Sequence, residues 1–355
     1  DTTGNVTVDS RTVWADQATD NPAITLNNLD QSKTAPADAG SNLLSGSTIS
    51  FNVTDDDGVA PSGIAIVVLD STDTPVALAA PTISGIATAR VVSQTLSGLP
   101  DGEYSLQITA TDNALAILAT MPRVYFSYDN NPPTLSAPAI PQYTRTLFDM
   151  TGGTASDGTA LDPATPIVIT QSRDGSSIVL TGVILSDVTT NSVTWAIQNL
   201  PRAADNAPAP LTAATNGLYE YTITAQDRAG RTVQTTRSIR FDVSAPSVTM
   251  ATPQAPSADV PDYGNILGTT ALISGTSDDS ATGASGVKAV YYNFDGSATR
   301  ITAGGTVAWS STATLVAPEG PKTLYVWAED NAGNISAAPS TRTFVYDTAI
   351  PVASI

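Results

Sequence analysis

Cysteine and histidine are both absent from the 355 residues. Without cysteine there is no disulfide framework, no zinc-thiolate site and no thiol nucleophile. Without histidine the commonest general base, the usual zinc ligand and any Ser-His-Asp triad are gone. Positive charge is scarce: 15 Lys and Arg stand against 33 Asp and Glu, a net charge of −18 and a pI near 4.1. A polyanion is repelled by phosphate backbones and anionic lipid, so nucleic acid is not an expected partner. Aromatic residues make up 6%, which argues against a dedicated carbohydrate-binding face. No apolar run reaches the ~18 residues of a membrane span, so none is expected in this segment, and no signal peptide opens it.

What is present is strand-forming. Thr, Ser, Ala, Asp, Gly and Val dominate; 41% of residues are hydrophobic and only 14% charged. Thr and Val suit half-buried pleated surfaces, while Asp, Gly and Pro punctuate them. The 25 Gly and 24 Pro are spread along the chain, as many short strands with frequent turns require. The length fits two to four domains, and secreted domains of about 100 residues have cores large enough to fold without disulfides.

Internal repetition organises the sequence. Four segments align on a turn aspartate: DTTGNVTVDSRTVWAD from Asp1, DNALAILATMPRVYFSYD from Asp112, DRAGRTVQTTRSIRFD from Asp227 and DNAGNISAAPSTRTFVYD from Asp330. Their spacing is that of one β-sandwich, about 100 residues. Each is followed by an Asp, a short gap, a Pro and a new alternating strand: Asp16 to Pro22, Asp129 to Pro133, Asp242 to Pro246, Asp347 to Pro351. Proline fixes φ and donates nothing to a ladder, so it suits a strand start or a stiff joint. Boundaries at these joints give complete modules at 17–128, 129–241 and 242–346. Residues 1–16 are then the last strand of a preceding module and 347–355 the first strand of a following one, so the chain is expected to be a window on a longer array. An end strand that adds to a neighbouring chain's sheet edge is the sharper alternative, giving head-to-tail polymers.

Before three of the turn aspartates runs a period-2 strand: Tyr104, Leu106, Ile108, Ala110; then Tyr219, Tyr221, Ile223, Ala225; then Leu324, Val326, Ala328, with Lys322 in place of a Tyr. A Gly leads each one: Gly102, Gly217 and Gly320. Alternation of this kind places one face in a core and the other in water. Ile49, Phe51 and Val53 alternate up to Asp55, and Ile64, Ile66 and Val68 follow a Ser-Gly turn. Segment 201–216, rich in Ala, Pro and Asn, is an insertion relative to module 1 and reads as an exposed loop. The fold expected is all-β: tandem immunoglobulin-like antiparallel sandwiches end to end, with little helix.

The runs YSLQITATDNA, YEYTITAQDRAG and LYVWAEDNAGN, each followed by a strand and a D-x-x-x-P joint, resemble bacterial immunoglobulin-like repeats of large surface adhesins, as do the loops DDDGVAPSGI and SDDSATGASGV. The resemblance covers essentially the whole chain. It implies stalks that hold a binding tip away from a cell, often stiffened by Ca²⁺ at the joints, and an extracellular or cell-surface setting. Tyr104 and Tyr219 also resemble the tyrosine corner of that fold, in which a Tyr hydroxyl ties a corner to nearby backbone. Module 1 departs from the pattern with DNALA, where the others place a Gly.

Acidic residues recur at three places per module. Asp55, Asp56 and Asp57, then Asp157 and Asp162, then Asp278 and Asp279 end a second strand. Asp112, Asp227 and Asp330 begin the last turn. Asp16 and Asp20, Asp129, Asp242 and Asp347 lie in the joints. In an immunoglobulin sandwich the loops after the second and sixth strands sit where the chain enters, so each joint should lie beside both loops. Three acids converging there would supply the oxygens that Ca²⁺ takes; the competing reading is that Asp simply caps turns. An acid set repeated once per module fits a structural role better than catalysis, since an enzyme needs one site. Trp14, Trp195, Trp309 and Trp327 are expected to pack in cores or at edges, except that Trp327, out of phase with inward Val326, should be exposed. The glycosylation sequons at Asn5, Asn52 and Asn334 have meaning only in a glycosylating host.

The function these features favour is mechanical, a stalk or filament segment that presents something else. The rivals are an adhesive module binding a protein or glycan through its loops, which a broad exposed apolar patch would favour, and an accessory module of a secreted polysaccharide-degrading enzyme.

Overall fold

The computed structural model describes residues 21–44, 46–113, 118–254, 266–267 and 269–349. Strands dominate throughout; the helical content among these residues is two 3-10 turns, Pro36–Ser41 and Ala213–Thr215. The strands form three two-sheet sandwiches of the immunoglobulin-like kind, in tandem.

The second sandwich shows the plan. One sheet has the order Thr134–Ser136, Phe148–Ser156, Ser192–Leu200, Ile184–Ser186. The other runs Tyr143–Thr144, Thr232–Phe241, Gly217–Gln226, Ile167–Arg173, Ser176–Val179. All pairs are antiparallel save one: Tyr143–Thr144 lies parallel to Arg240 and Phe241. The first and third sandwiches repeat this feature, with Leu43–Leu44 parallel to Ser127 and Tyr128, and Ile266–Leu267 parallel to Tyr346 and Asp347.

Strict alternation decides what is buried. In Gly217–Gln226 the residues Tyr219, Tyr221, Ile223 and Ala225 face the core, and Leu106, Ile108 and Ala110 do the same in the first sandwich. Each sandwich has its own core cluster, centred on Phe51, Leu106 and Phe126, on Trp195, Tyr221 and Phe241, and on Trp309, Leu324 and Phe344. One cross-strand pair in these cores is inverted between modules. The first sandwich pairs Phe51 with Val92. The equivalent pairs are Gly153 with Trp195 and Gly275 with Trp309. The indole takes the space of a glycine side chain: a Cβ at Gly153 would sit 2.0 Å from Trp195 Cε2, and one at Gly275 would sit 2.7 Å from Trp309 Cζ2. The same space is filled from the opposite strand, as native packing density requires.

Both tyrosine corners form. Tyr104 Oη donates to the Pro100 carbonyl at 2.8 Å and Tyr219 Oη to the Thr215 carbonyl at 2.9 Å. Tyr219 also accepts from Arg173 Nη1 at 2.8 Å, and the guanidinium lies 5.4 Å from its ring centroid. In the third sandwich Lys322 takes this position and sets its ammonium 5.9 Å from the Tyr346 ring. Tyr104→Phe is expected to cost about 1 kcal/mol. Tyr219→Phe removes a bond to a charged group as well and should cost about 2 kcal/mol. Chemical denaturation checks both the values and their order.

One expectation needs correction. Trp327 does point out of the sheet, yet it is buried, because Arg300 stacks over it at 4.1 Å and Tyr325 lies parallel at 6.1 Å. Segment 201–216 is a largely exposed loop, as expected, and it is pinned to the sandwich at a few points. Gln171 exchanges hydrogen bonds with the Arg202 backbone, Arg202 spans Gln198 and Asn206, and Ala209 and Asn216 are buried. The terminal segments, Trp14, and residues 114–117, which include the last three residues of DNALA, lie outside the described residues.

Candidate metal centre

The strands deliver one acid each to the end of a sandwich. Asp129 follows Val124–Tyr128, Asp157 follows Phe148–Ser156, and Asp227 follows Gly217–Gln226. Their carboxylate oxygens converge to within 4.8 Å of one another. Asp242, Asp279 and Asp330 converge in the same way at the next joint. Asp129, Asp227, Asp242 and Asp330 are each 0% exposed, which carboxylates tolerate only with strong compensation.

The first triad is poor in donors. Asp157 Oδ1 accepts the backbone N–H groups of Thr159 and Ala160, and Asp227 Oδ1 accepts that of Arg231. The Thr159 hydroxyl lies 2.6 Å from Asp129 Oδ2 and 2.8 Å from Asp157 Oδ1, and its single proton serves one of them. Asp129 Oδ1 and Asp227 Oδ2 are buried and accept no hydrogen bond. Burial pushes the Asp129 carboxyl up to about 6 against the Thr159 hydrogen bond, with the Asp157, Asp227 and Asp101 charges adding to the rise. Burial raises Asp227 too.

The second triad is better supplied. Asp242 accepts from Asn216, Ser244 and Ser285, Asp279 from the Gly286 N–H, and Asp330 from the backbone and side chain of Asn334. Asp279 is still pushed up to about 6, by burial first and then by the Asp242 charge.

The remaining candidates fall elsewhere. Asp162 caps Ala164 and Thr165 and stands outside the first triad; Asp278 is paired with Ser247 in the sheet and stands outside the second. Asp55 caps the turn through Asp57 and Gly58. Burial, with Asp56, Asp55 and Asp112 nearby, raises the Asp57 carboxyl. Asp16 and Asp20, which would complete that group, lie outside the described residues. Asn334 cannot serve as a glycan acceptor in this fold, since its amide nitrogen is buried and donates to the Asp242 carbonyl and to Asp330.

The site also uses residues that the repeat pattern does not pick out. Asp101, Asn216 and Glu319 each precede the glycine that starts the sixth strand, and each ties down the joint that follows. Arg231 reaches from its turn to the Asp129 carbonyl and the Asn130 side chain. The glycines were a signal in sequence; the residue before them needed the fold.

No family model matches this chain, and no curated protein does. Among solved structures, titin domains A168–A170 align at 12% identity over 92% of this chain and 99% of theirs, TM-score 0.36. A tetra-tandem repeat from the extending region of a large adhesion protein aligns at 20% identity over 92% of this chain and 74% of its own, TM-score 0.31. A D1–D4 ectodomain fragment of ICAM-5 gives 13%, 92%, 77% and 0.36. Likeness at this level carries no argument about function. Among the described residues no helix is long and apolar enough to cross a membrane.

Proposed function

We propose that this chain is a stalk segment of a secreted or cell-surface bacterial protein, built from modules 17–128, 129–241 and 242–346, with no catalytic role, and stiffened by Ca²⁺ at the 128–129 joint. One observation carries the reading: two buried, unpartnered carboxylate oxygens, on Asp129 and Asp227, belong to a converging triad that contains the joint residue itself. Three carboxylates offer up to about six oxygens, the kind and number a hard cation such as Ca²⁺ takes. Asp129, Asp157 and Asp227 would hold the ion, with Thr159 beside them. When bound, it would neutralise the triad and tie two loops of one module to the chain leaving the previous one.

Elemental analysis after dialysis should find calcium with the protein, and small-angle scattering should show a longer, more rigid particle in calcium than in chelator. Identical scattering in both conditions, with no bound metal, sinks the proposal.

Adhesion is favoured by a different observation. A cleft of about 490 Å³ lies beside Leu161, Pro166, Leu185 and Val193, rimmed by Arg228, with Val188 63% exposed at its edge. An apolar opening of this size on a loop-bearing end fits a ligand-binding module.

A further inference from the structure

The two joints are built on equivalent aspartates, and two of the positions at which they differ bear directly on the carboxylates. Asp101 and Asn216 both precede the strand-leading glycine. Asp101 Oδ1 accepts the N–H of Asn130 at 2.7 Å, and its Oδ2 accepts from the Asn131 side chain at 2.8 Å. Asn216 Oδ1 accepts the N–H of Val243 at 2.9 Å in the same way. As an amide, however, it also donates: Nδ2 reaches Asp242 Oδ1 at 2.7 Å and Ser244 Oγ at 2.8 Å. Arg231 and Asn334 are the second pair, each closing the turn that its aspartate begins. Both give their backbone N–H to that aspartate at 2.8 Å. The Arg231 side chain then contacts the joint at Asp129 O and Asn130 Oδ1. The Asn334 side chain donates to Asp330 Oδ2 at 2.7 Å and to the Asp242 carbonyl at 2.9 Å.

We infer that the second joint is locked by amides where the first awaits a cation: Asn216 and Asn334 cover the carboxylate oxygens of Asp242 and Asp330 at the positions left bare on Asp129 and Asp227. Both oxygens of Asp242 and both of Asp330 have donors, the remaining Asp242 oxygen being met by the Ser285 N–H at 2.7 Å. Replacing Asp101 by an amide also removes one negative charge from the group. Backbone packing completes the lock. Gly283, at φ +83°, lies so close to the Asn216–Gly217 backbone that a Cβ there would stand 2.5 Å from Asn216 C. The 281–286 loop of the third sandwich thus seats directly on the end of the second. Satisfied networks of buried polar groups rigidify what they join. The array therefore combines a joint that holds without metal and one whose order follows the cation, the latter part resting on the calcium reading above.

Hydrogen exchange of the full chain, followed by mass spectrometry in calcium and in chelator, tests this. Peptides spanning 213–218, 242–247 and 283–287 should be equally protected in both conditions. Asn334→Ala should speed their exchange about tenfold in chelator. Asn216→Asp combined with Asn334→Arg, which copies these two positions of the first joint into the second, should make their protection calcium-dependent. Wild-type peptides that lose protection in chelator, or that ignore Asn334→Ala, overturn the lock. Should Asn334→Ala unfold the third sandwich, visible as exchange throughout Gly320–Asp330, Asn216→Ala gives the same reading from the other side. Peptides at 128–131 and 157–160 report separately: if these ignore calcium while the second joint remains asparagine-dependent, the calcium reading fails and the lock stands.

Discussion

Replacing Trp195 by alanine is expected to lower the stability of the second sandwich by about 3–5 kcal/mol. The side chain is 0% exposed and lies on Gly153, which has no atoms with which to fill the space. The surrounding sheets are held apart by their other side chains and relax only partly, so a cavity term adds to the lost transfer energy. Trp195→Phe separates ring volume from polarity. The indole N–H is buried without a partner, so phenylalanine removes an unmet donor while keeping much of the contact, and the loss should stay under about 1.5 kcal/mol. The double replacement Gly153→Phe with Trp195→Val reproduces the Phe51–Val92 pair of the first sandwich and should be more stable than either single change predicts, because the two sites share one volume. Denaturant midpoints for these variants and the two single changes, read by exchange in Ser192–Leu200, decide the matter. An alanine cost below about 1 kcal/mol would mean that the indole is not filling the core.

Calcium and pH should act on the same sandwich in opposite directions. Without metal, the Asp129 carboxyl is pushed from 3.8 up to about 6, chiefly by burial. A raised folded value means that the folded state holds the proton more tightly than the unfolded chain does. The associated stability is present below about 3.8 and is lost as pH rises through about 6. Asp227, raised also by burial, adds to the same slope. Calcium needs the ionised carboxylates, so its contribution has the reverse sign and grows over this window. The melting temperature of the second sandwich should therefore fall with rising pH in chelator and respond to calcium strongly at neutral pH and little at pH about 4. At a thousandfold excess over the dissociation constant the gain is about 4 kcal/mol. Asp227→Asn should remove the calcium increment and flatten the slope. Calorimetry at three pH values, with and without chelator, measures all of this; a calcium increment that is independent of pH contradicts carboxylate ligation.

Much of the fold was legible because the information is local and periodic. The alternation in Gly217–Gln226, the glycine that leads it and the aspartate that ends it place a strand, its inner face and its following turn within a dozen residues. Acids recur at strand ends once per module, which is why the joint, second-strand and last-turn sets contain Asp129, Asp157 with Asp162, and Asp227 before any geometry is known. Two-residue strands such as Tyr143–Thr144 have no period to read, so their parallel pairing appears only in the fold. Periodicity also says which face a side chain takes and nothing of what covers it, which is how Trp327 came to be buried under Arg300. The choice of Asp157 over Asp162, and the parts played by Asp101 and Asn216, depend on loops from distant segments meeting at one end.

The inverted tryptophan–glycine pair bears on how the chain avoids folding wrongly. Tandem repeats risk misassembly by exchanging equivalent strands between neighbours. Were Thr48–Thr54 to take the place of Phe148–Ser156, Phe51 would meet Trp195 where only glycine fits; the reverse exchange would leave Gly153 opposite Val92, with a hole between them. Either hybrid is penalised, so the first and second sandwiches are insulated from each other. The second and third share the Gly–Trp arrangement and lack this protection. Folding fidelity is thus distributed unevenly along the array, and strand exchange, when it occurs, should concentrate at the second boundary.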